Sequence, residues 1–426
     1  SGLGFEQSHD MRDRVTSVRA HADPAADPRV FETRYGYDVA GQLEELTDPA
    51  GRVTSYTYDA AGRLDRVTRP DGVTSTTAYD ARGRVSSVVH ASASGAILAS
   101  VAYERSDSGE PTRITREDGS YVLVDYDGAL RVERERYFDA AGVLEEELAY
   151  TYDRDGNRTS RTRAVGGGAP VTEAYVYGAG SQLLRVEVGG AIAHEYTYDT
   201  AGRVTRIVRG GRDVALSYDA DDHVVASDES GLTTQFGFDA EGRRTSRRVL
   251  AGAALLSAMA FATAPGLASG LDSPHLSDDG AGAAQVAYVY DGEHALARLD
   301  AASGEPLYYL RDAMGSVIAV VDDSGASARV HYDGFGNQRR ADGALAVLPP
   351  EGAPRFHGMW SEHGGLYYVR ARLYDPETGR FLSRDPAQGQ RSFPESFAAY
   401  AFADGNPYRY RDPTGRSFIG MFQHAA

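Results

Sequence analysis

A phrase of tyrosine, aspartate, two variable residues and glycine returns along this chain at nearly fixed intervals, which leaves little freedom in the choice of fold. Its first clear copies are Tyr35-Gly-Tyr37-Asp38-x-x-Gly41, Tyr56-Thr-Tyr58-Asp59-x-x-Gly62-Arg63-Leu64 and Tyr79-Asp80-x-x-Gly83-Arg84-Val85, their aspartates 21 residues apart. Later copies are Tyr150-Thr-Tyr152-Asp153-x-x-Gly156, Tyr196-Thr-Tyr198-Asp199-x-x-Gly202-Arg203-Val204, Tyr218-Asp219 and Phe236-Gly-Phe238-Asp239-x-x-Gly242. Between Tyr103 and Phe138 the copies are degenerate, and only 14 residues separate Asp139 from Asp153.

One copy can be read physically. Tyr-x-Tyr has the period of a strand, so Tyr56 and Tyr58, like Tyr196 and Tyr198, are expected on one face of a sheet. Asp-x-x-Gly suits a type I turn, with the aspartate accepting backbone hydrogen bonds at its start and glycine at its end. The residues that follow, such as Arg63-Leu64-x-x-Val67, are compatible with a returning antiparallel strand. Each copy is thus a hairpin, and because isolated hairpins are marginal, copies must pair edge to edge. A twisted sheet of that many strands curls. The expectation is an all-β chain with helix below about a tenth of its residues, against the usual third. An ordinary β-sandwich with tyrosines as generic strand formers does not require the recurring phrase.

With these residues the chain resembles the YD-repeat, or RHS-repeat, proteins. That resemblance implies a long antiparallel sheet of β-hairpins spiralling into a hollow shell, here a partial one, as in bacterial toxin-complex components, RHS effectors and teneurins. From Tyr308 the pattern changes. Tyr308-Tyr309-Leu310-Arg311-Asp312-Ala-Met-Gly315 leads to Tyr332-Asp333-Gly334-Phe335-Gly336-Asn337, and a Pro/Ala-rich interruption at 345–354 precedes Arg355-Phe356-His357-Gly358. Then come Gly365-Leu366-Tyr367-Tyr368-Val369-Arg370-Ala371-Arg372-Leu373-Tyr374-Asp375-Pro376, Arg384-Asp385-Pro386 and Asp412-Pro413-Thr414-Gly415. This segment resembles the RHS repeat-associated core domain. The division expected is a repeat shell over 1–307, the core segment over 308–416, and the start of a variable C-terminal segment at 417–426.

In that family the core segment plugs the shell and often cleaves itself, releasing a C-terminal payload into the cavity. The resemblance implies Asp385 and Asp412 as an aspartyl-protease-like pair, Arg372 as the supporting arginine, and scission between Arg416 and Ser417. Two neighbouring carboxylates can serve as base toward water and as acid, because each raises the proton affinity of the other. Two departures stand out: Arg416 replaces the usual leucine, and Asp385-Pro386-Ala387-Gln388-Gly389 carries one residue more than Asp-Pro-x-Gly. The implied partners are the chain's own C-terminal segment or toxin domain, and a secretion or toxin-complex protein. The implied location is secreted or at a bacterial cell surface. The competing reading is a surface adhesion module without proteolysis, in which the tyrosines and the arginines of Gly62-Arg63 and Gly202-Arg203 bind cell-surface carbohydrate. Strand-edge solvation and ion pairing are the plainer account of those arginines.

Other signals are weaker. A net charge of −17 argues against nucleic acid, which needs a basic surface. All 44 basic residues are arginine and there is no cysteine, which excludes disulfides and thiolate metal sites. No cofactor or metal is implied: Asp153-Arg-Asp155-Gly156-Asn157 lacks the distal glutamate of a calcium loop, and His194, His223, His331, His357 and His363 fall in no ligand spacing. His357 and the single tryptophan, Trp360, read as core residues. The uncharged stretch from Val249 to Leu271 is long enough for a membrane span, but its Ala, Gly, Ser and Pro content favours a buried or irregular insertion.

Overall fold

The computed structural model describes residues 3–265, 272–325, 327–343, 352–385, 398–416 and 419–420. Thirty strands, from β1 (Gly4–His9) to β30 (Gln338–Gly343), form one antiparallel sheet in which each strand pairs with the next in chain order. Helix amounts to 3%, as short 3₁₀ turns.

The repeated phrase builds each hairpin in the same way. Between β5 (Val53–Tyr58) and β6 (Leu64–Thr68), Tyr56 lies opposite Val67, and the register slips by one residue between Thr57 and Tyr58. The residue skipped is Asp65. One step nearer the turn, Gly62 and Arg63 form a glycine bulge opposite Asp59: the Gly62 N–H donates to the Asp59 carbonyl (2.9 Å), the Asp59 N–H donates to the Arg63 carbonyl (2.9 Å), and Gly62 has φ +77°. Asp59 Oδ1 also accepts the N–H groups of Ala61 and Arg63, both at 2.9 Å. The same slip recurs before Tyr37, Tyr79, Tyr152, Tyr198, Tyr218 and Phe238. Thr57 is exposed, whereas Tyr56 is buried and Tyr58 packs against the same core, so the two rings share a face as expected. Tyr196 and Tyr198 do likewise.

The phrase also joins each hairpin to the next. Arg63 Nε donates to Asp59 Oδ2 (2.8 Å), and its guanidinium lies 4.2 Å from the ring centroid of Tyr79 in the following copy. The Tyr79 hydroxyl in turn donates to the carbonyl of Leu64 (2.8 Å), the residue after that arginine. Arg131 with Tyr152 and Arg203 with Tyr218 repeat the arrangement, the hydroxyls donating to Val132 and Val204. One such hydroxyl bond contributes about 1 kcal/mol, and one cation–π contact roughly 0.5–1 kcal/mol. The joint is modest singly and substantial by repetition. The plainer account of these arginines is what the contacts show: they grip turn aspartates, while the tyrosines make ring contacts and donate to carbonyls.

The sheet winds back onto its own beginning. β1 touches β23 (Ala254–Pro265), and β2 (Val15–His21) touches β24 (Asp272–Asp278). Val18, Tyr35, Leu46 and Tyr56 share a core with Leu276, Ala287, Val289 and Leu296. Polar bonds stitch the two coils: the Tyr35 hydroxyl to the Tyr290 carbonyl (3.2 Å), Arg52 Nη2 to the Gly304 carbonyl (2.9 Å) and Arg329 Nε to the Leu98 carbonyl (2.6 Å). Among the described strands no pairing joins β30 to β1, so the sheet is a spiral and not a closed barrel. The described part of the uncharged stretch, through Pro265, completes one strand and forms all of β23. This corrects the expectation of a buried or irregular insertion, since hairpin residues Leu255 and Leu256 are 58% and 59% exposed. No helix among the described residues is long and apolar enough to cross a membrane.

Within the segment expected to form the C-terminal unit, residues 308–343 continue the spiral. A different architecture follows, a small sheet of Trp360–Ser361, Tyr367–Val369, Arg372–Asp375 and Arg380–Phe381. Its side chains enter three separate cores of the large sheet. Leu366, Leu373 and Leu382 pack on Tyr196, Ile207 and Leu216; Tyr374 and Phe402 pack on Tyr309 and Val320; and the Tyr374 hydroxyl reaches the carbonyl of Phe335, which packs on Val132 and Tyr150. A segment that touches such distant strands on their tyrosine face lies on the concave side of the curl and plugs it.

Candidate functional site

Arg372 opens the third strand of the small sheet, directly after the turn of Val369 to Arg372. The neighbouring strand presents Phe381, and the guanidinium lies flat on its ring, 3.6 Å from the centroid. Stacking leaves the in-plane donors free to reach sideways. Nη2 donates to Asp385 Oδ2 (2.8 Å) and to Asp412 Oδ2 (3.0 Å), and Nε donates to the Gly415 carbonyl. The three residues expected to act together, 13 and 40 apart in sequence, are therefore brought to one nitrogen. The two carboxylate oxygens can be no farther apart than the sum of these two bonds. The side chains of Arg372 and Asp412 are each 3% exposed and that of Asp385 is 21% exposed, so the site is nearly dry on one side and open on the other. Burial draws the Arg372 pKa below its usual value, against the opposing pull of Asp385 and Asp412.

The Asp-Pro phrase shapes the loop around Asp412. Its Oδ1 accepts the Thr414 N–H (3.2 Å), the Thr414 hydroxyl (3.1 Å) and the Arg416 N–H (3.2 Å). The loop is clamped onto the Val369–Arg372 turn: the Ala371 N–H donates to the Thr414 carbonyl (3.3 Å), and Arg370 donates to the Pro413 carbonyl. Gly415 has φ +69°, and a Cβ there would fall 2.1 Å from the Val369 carbonyl oxygen, so only glycine allows this approach. Asp385 is tied down by its own N–H, which donates to the Ala399 carbonyl (2.7 Å). Arg416 is exposed; Ser417, across the bond expected to break, and residues 386–389 of the first phrase lie outside the described residues.

Sequence reasoning missed Phe381 as the platform for Arg372. It also missed two buried glutamates, Glu110 and Glu135, that hold the turn residues Arg409 and Tyr408 leading to Asp412. For Glu135 a signal existed, because it shares the inward face of its strand, Val132–Phe138, with Tyr137. A charge on that face needs a partner. His357 is buried and stacked on Phe356 (ring centroids 4.0 Å apart), with burial pushing its pKa down to about 3. Asp153 accepts the N–H groups of Asp155 and Asn157 within a repeat turn. No cluster of metal-ligating side chains occurs among the described residues.

Comparison with known proteins gives matches of two kinds. The family described as RHS Repeat matches residues 37–74, 58–95 and 218–254. The tRNA nuclease WapA of Bacillus subtilis is 34% identical over 110 residues, which is 25% of this chain and 5% of that protein. The toxin protein Tse5 of Pseudomonas aeruginosa is 32% identical over 137 residues, 30% of this chain and 9% of Tse5. Among solved structures, TcdB2–TccC3 superposes with a TM-score of 0.66 at 17% identity, covering 96% of this chain and 24% of that one. The Tc holotoxin pore of Photorhabdus luminescens gives 0.62 at 15% identity, over 98% and 24%. At such identities the structural likeness speaks for the fold, and the matched region is a small part of each relative.

Proposed function

Because the chain is an RHS-repeat protein whose spiral sheet is plugged by its own C-terminal segment, we propose that it is the carrier part of a secreted toxin or effector: a shell that holds the polypeptide downstream of Arg416 and frees it by self-cleavage. The toxin and nuclease names of the matched relatives support the cargo class. A secretion or toxin-complex protein is the partner this reading implies. The observation that carries it is the single Arg372 nitrogen bonded to both Asp385 and Asp412.

In this mechanism the carboxylate pair holds one proton. Asp385, the more open of the two, takes a proton from water as the oxygen adds to the Arg416 carbonyl carbon. The proton held by the pair passes to the Ser417 nitrogen as the C–N bond breaks, leaving the pair with the proton taken from water, an Arg416 carboxylic acid and a Ser417 amine; the acid then gives its proton to the amine. Arg372 offsets the repulsion between the two carboxylates and fixes their spacing. Its bond to the Gly415 carbonyl holds the loop next to the scissile bond.

Intact mass of the purified chain tests this directly. The wild-type chain is expected to lose the residues after Arg416, and Asp385→Asn and Asp412→Asn are each expected to keep the full mass with unchanged far-UV circular dichroism. A wild-type chain that stays whole, or scission that persists in both variants, refutes the reading and leaves the segment a structural plug.

A further inference from the structure

The segment that delivers Asp412, a turn through Arg409 followed by the short strand Tyr410–Arg411, is held by the repeat sheet at four residues. Asn406 Nδ2 donates to the Leu130 carbonyl (2.6 Å), the Tyr408 hydroxyl donates to Glu135 Oε1 (2.6 Å), Arg409 pairs with Glu110, and Arg411 pairs with Glu293. Asp412 is the next residue. The partners of Tyr408 and Arg409 precede them by 273 and 299 residues.

The two glutamates are unusual in their burial. Glu135 is 0% exposed; its Oε1 also accepts the Tyr137 hydroxyl (2.7 Å) and the Gly334 N–H (2.8 Å), and its Oε2 accepts the Tyr150 hydroxyl (2.9 Å). Glu110 is 1% exposed, with the Ser106 hydroxyl on Oε2 (2.8 Å) and the Arg409 guanidinium on Oε1. A carboxylate in such a place is costly unless its hydrogen bonds are complete. For each glutamate, part of that complement comes from the C-terminal segment. The sheet therefore carries sockets whose remaining ligands are Tyr408 and Arg409, four and three residues before Asp412.

We propose that Glu135 and Glu110 are positioning residues for the candidate site. By fixing Tyr408 and Arg409 they seat Asp412 on Arg372, so scission takes place only in a chain whose repeat sheet has wound around its C-terminal segment. This rests on the self-cleavage reading and adds a condition to it: the cargo is cut loose only after the shell exists to contain it. Geometry at the site is demanding, because Asp412 Oδ2 must share one nitrogen with Asp385, and displacements of about 1 Å far from the chemistry can cost roughly a hundredfold in rate.

The test follows scission of the full chain after a pulse of labelled synthesis, by intact mass during the chase, in wild type, Tyr408→Phe, Glu110→Gln and the double variant. Tyr408→Phe keeps the ring and removes one hydrogen bond; Glu110→Gln keeps the size and removes the charge. Rate constant and final cut fraction are read separately. The double variant is expected to cut roughly ten- to a hundredfold more slowly, to reach the wild-type end point, and to keep the limbs of the pH–rate profile in place because both aspartates remain. A wild-type rate in the double variant overturns the proposal. So does a lower end point at unchanged rate, since that reports fewer folded molecules and not a displaced aspartate. Scission that continues in the Asp385→Asn and Asp412→Asn controls, or a wild-type chain that never cuts, instead refutes the self-cleavage reading on which the proposal stands.

Discussion

Asp333→Asn is predicted to change sign in its effect on stability between acid and neutral pH. In the exposed turns of the sheet the phrase aspartate meets an arginine four residues on, and its pKa is lowered, as at Asp199 and Asp239. At Asp333 the position four residues on is Asn337, and the turn is buried to 5% exposure beneath the C-terminal segment. Burial first and the Glu135 charge second push the Asp333 pKa up to about 6 from 3.8, against the hydrogen bonds from Asn337. The folded chain therefore holds a proton over a range in which the unfolded chain has lost it. The stability this contributes is complete below pH 3.8 and is lost as pH rises through about 6. A shift of about two units corresponds to about 3 kcal/mol of penalty near pH 7. Asparagine stays neutral, and its oxygen can still accept the N–H groups of Phe335 and Asn337. Its amide nitrogen, however, faces Asn337 Nδ2, whose bond to Asp333 Oδ2 (2.8 Å) is lost at about 1 kcal/mol. The variant should thus be more stable than wild type by about 2 kcal/mol near pH 7 and less stable by about 1 kcal/mol near pH 4. Thermal melts across this range read the difference as a few degrees, changing sign once. Glu135→Gln should flatten the wild-type pH dependence, because it removes the second source of the rise. A variant-minus-wild-type difference that is constant with pH, or that favours the variant in acid, refutes the reasoning.

The remaining predictions concern the joint and the clamp. Tyr79→Phe removes the hydroxyl bond to the Leu64 carbonyl and should cost about 1 kcal/mol, read as faster amide exchange in the two hairpins it joins; unchanged exchange there denies the joint its role. Gly415→Ala puts a methyl 2.1 Å from the Val369 carbonyl oxygen at φ +69° and should slow scission by more than about tenfold with the sheet's circular dichroism intact. Full-rate scission in that variant rules out the clamped loop.

The hairpins were legible because their rules are local. Period two sets the face of Tyr56 and Tyr58, and Asp-x-x-Gly sets the turn, so the order of the sheet follows from counting copies. The phrase arginine was half legible: pairing was expected, but Arg63 stacks on Tyr79 in the next copy, a contact that only the curl of successive hairpins creates. The Val249–Leu271 stretch misled because an absence of charge does not say which side of a sheet is covered, and Leu255 and Leu256 sit at a hairpin tip. At the site, Asp385, Asp412 and Arg372 came from the paired Asp-Pro phrases and the family they resemble. Strand alternation could have marked Glu135 as buried, but the partners of Glu110 and Glu135 lie most of the chain away, and no local pattern encodes a contact at that distance.

The candidate site and the repeat joint use one chemistry in two settings, and this accounts for a chain whose basic residues are all arginine. In the joint, the Arg63 guanidinium lies over the Tyr79 ring while its edge holds Asp59, whose side chain is 26% exposed. At the site, the Arg372 guanidinium lies over the Phe381 ring while its edge holds Asp385 and Asp412. Lysine could supply the charge in either place, but it cannot stack flat and donate sideways at once. Two things differ at the site: a second carboxylate shares the same nitrogen, and water is nearly gone, with Asp412 at 3% exposure. In the joint, the hydrogen bond from Arg63 holds Asp59 below the usual carboxylate range, which suits a permanent ion pair. At the site, the same guanidinium edge faces two carboxylates at once, with little water beside them. On the self-cleavage reading, the catalytic centre is therefore a repeat joint turned inward, given one more aspartate and shielded by the shell that the other joints build.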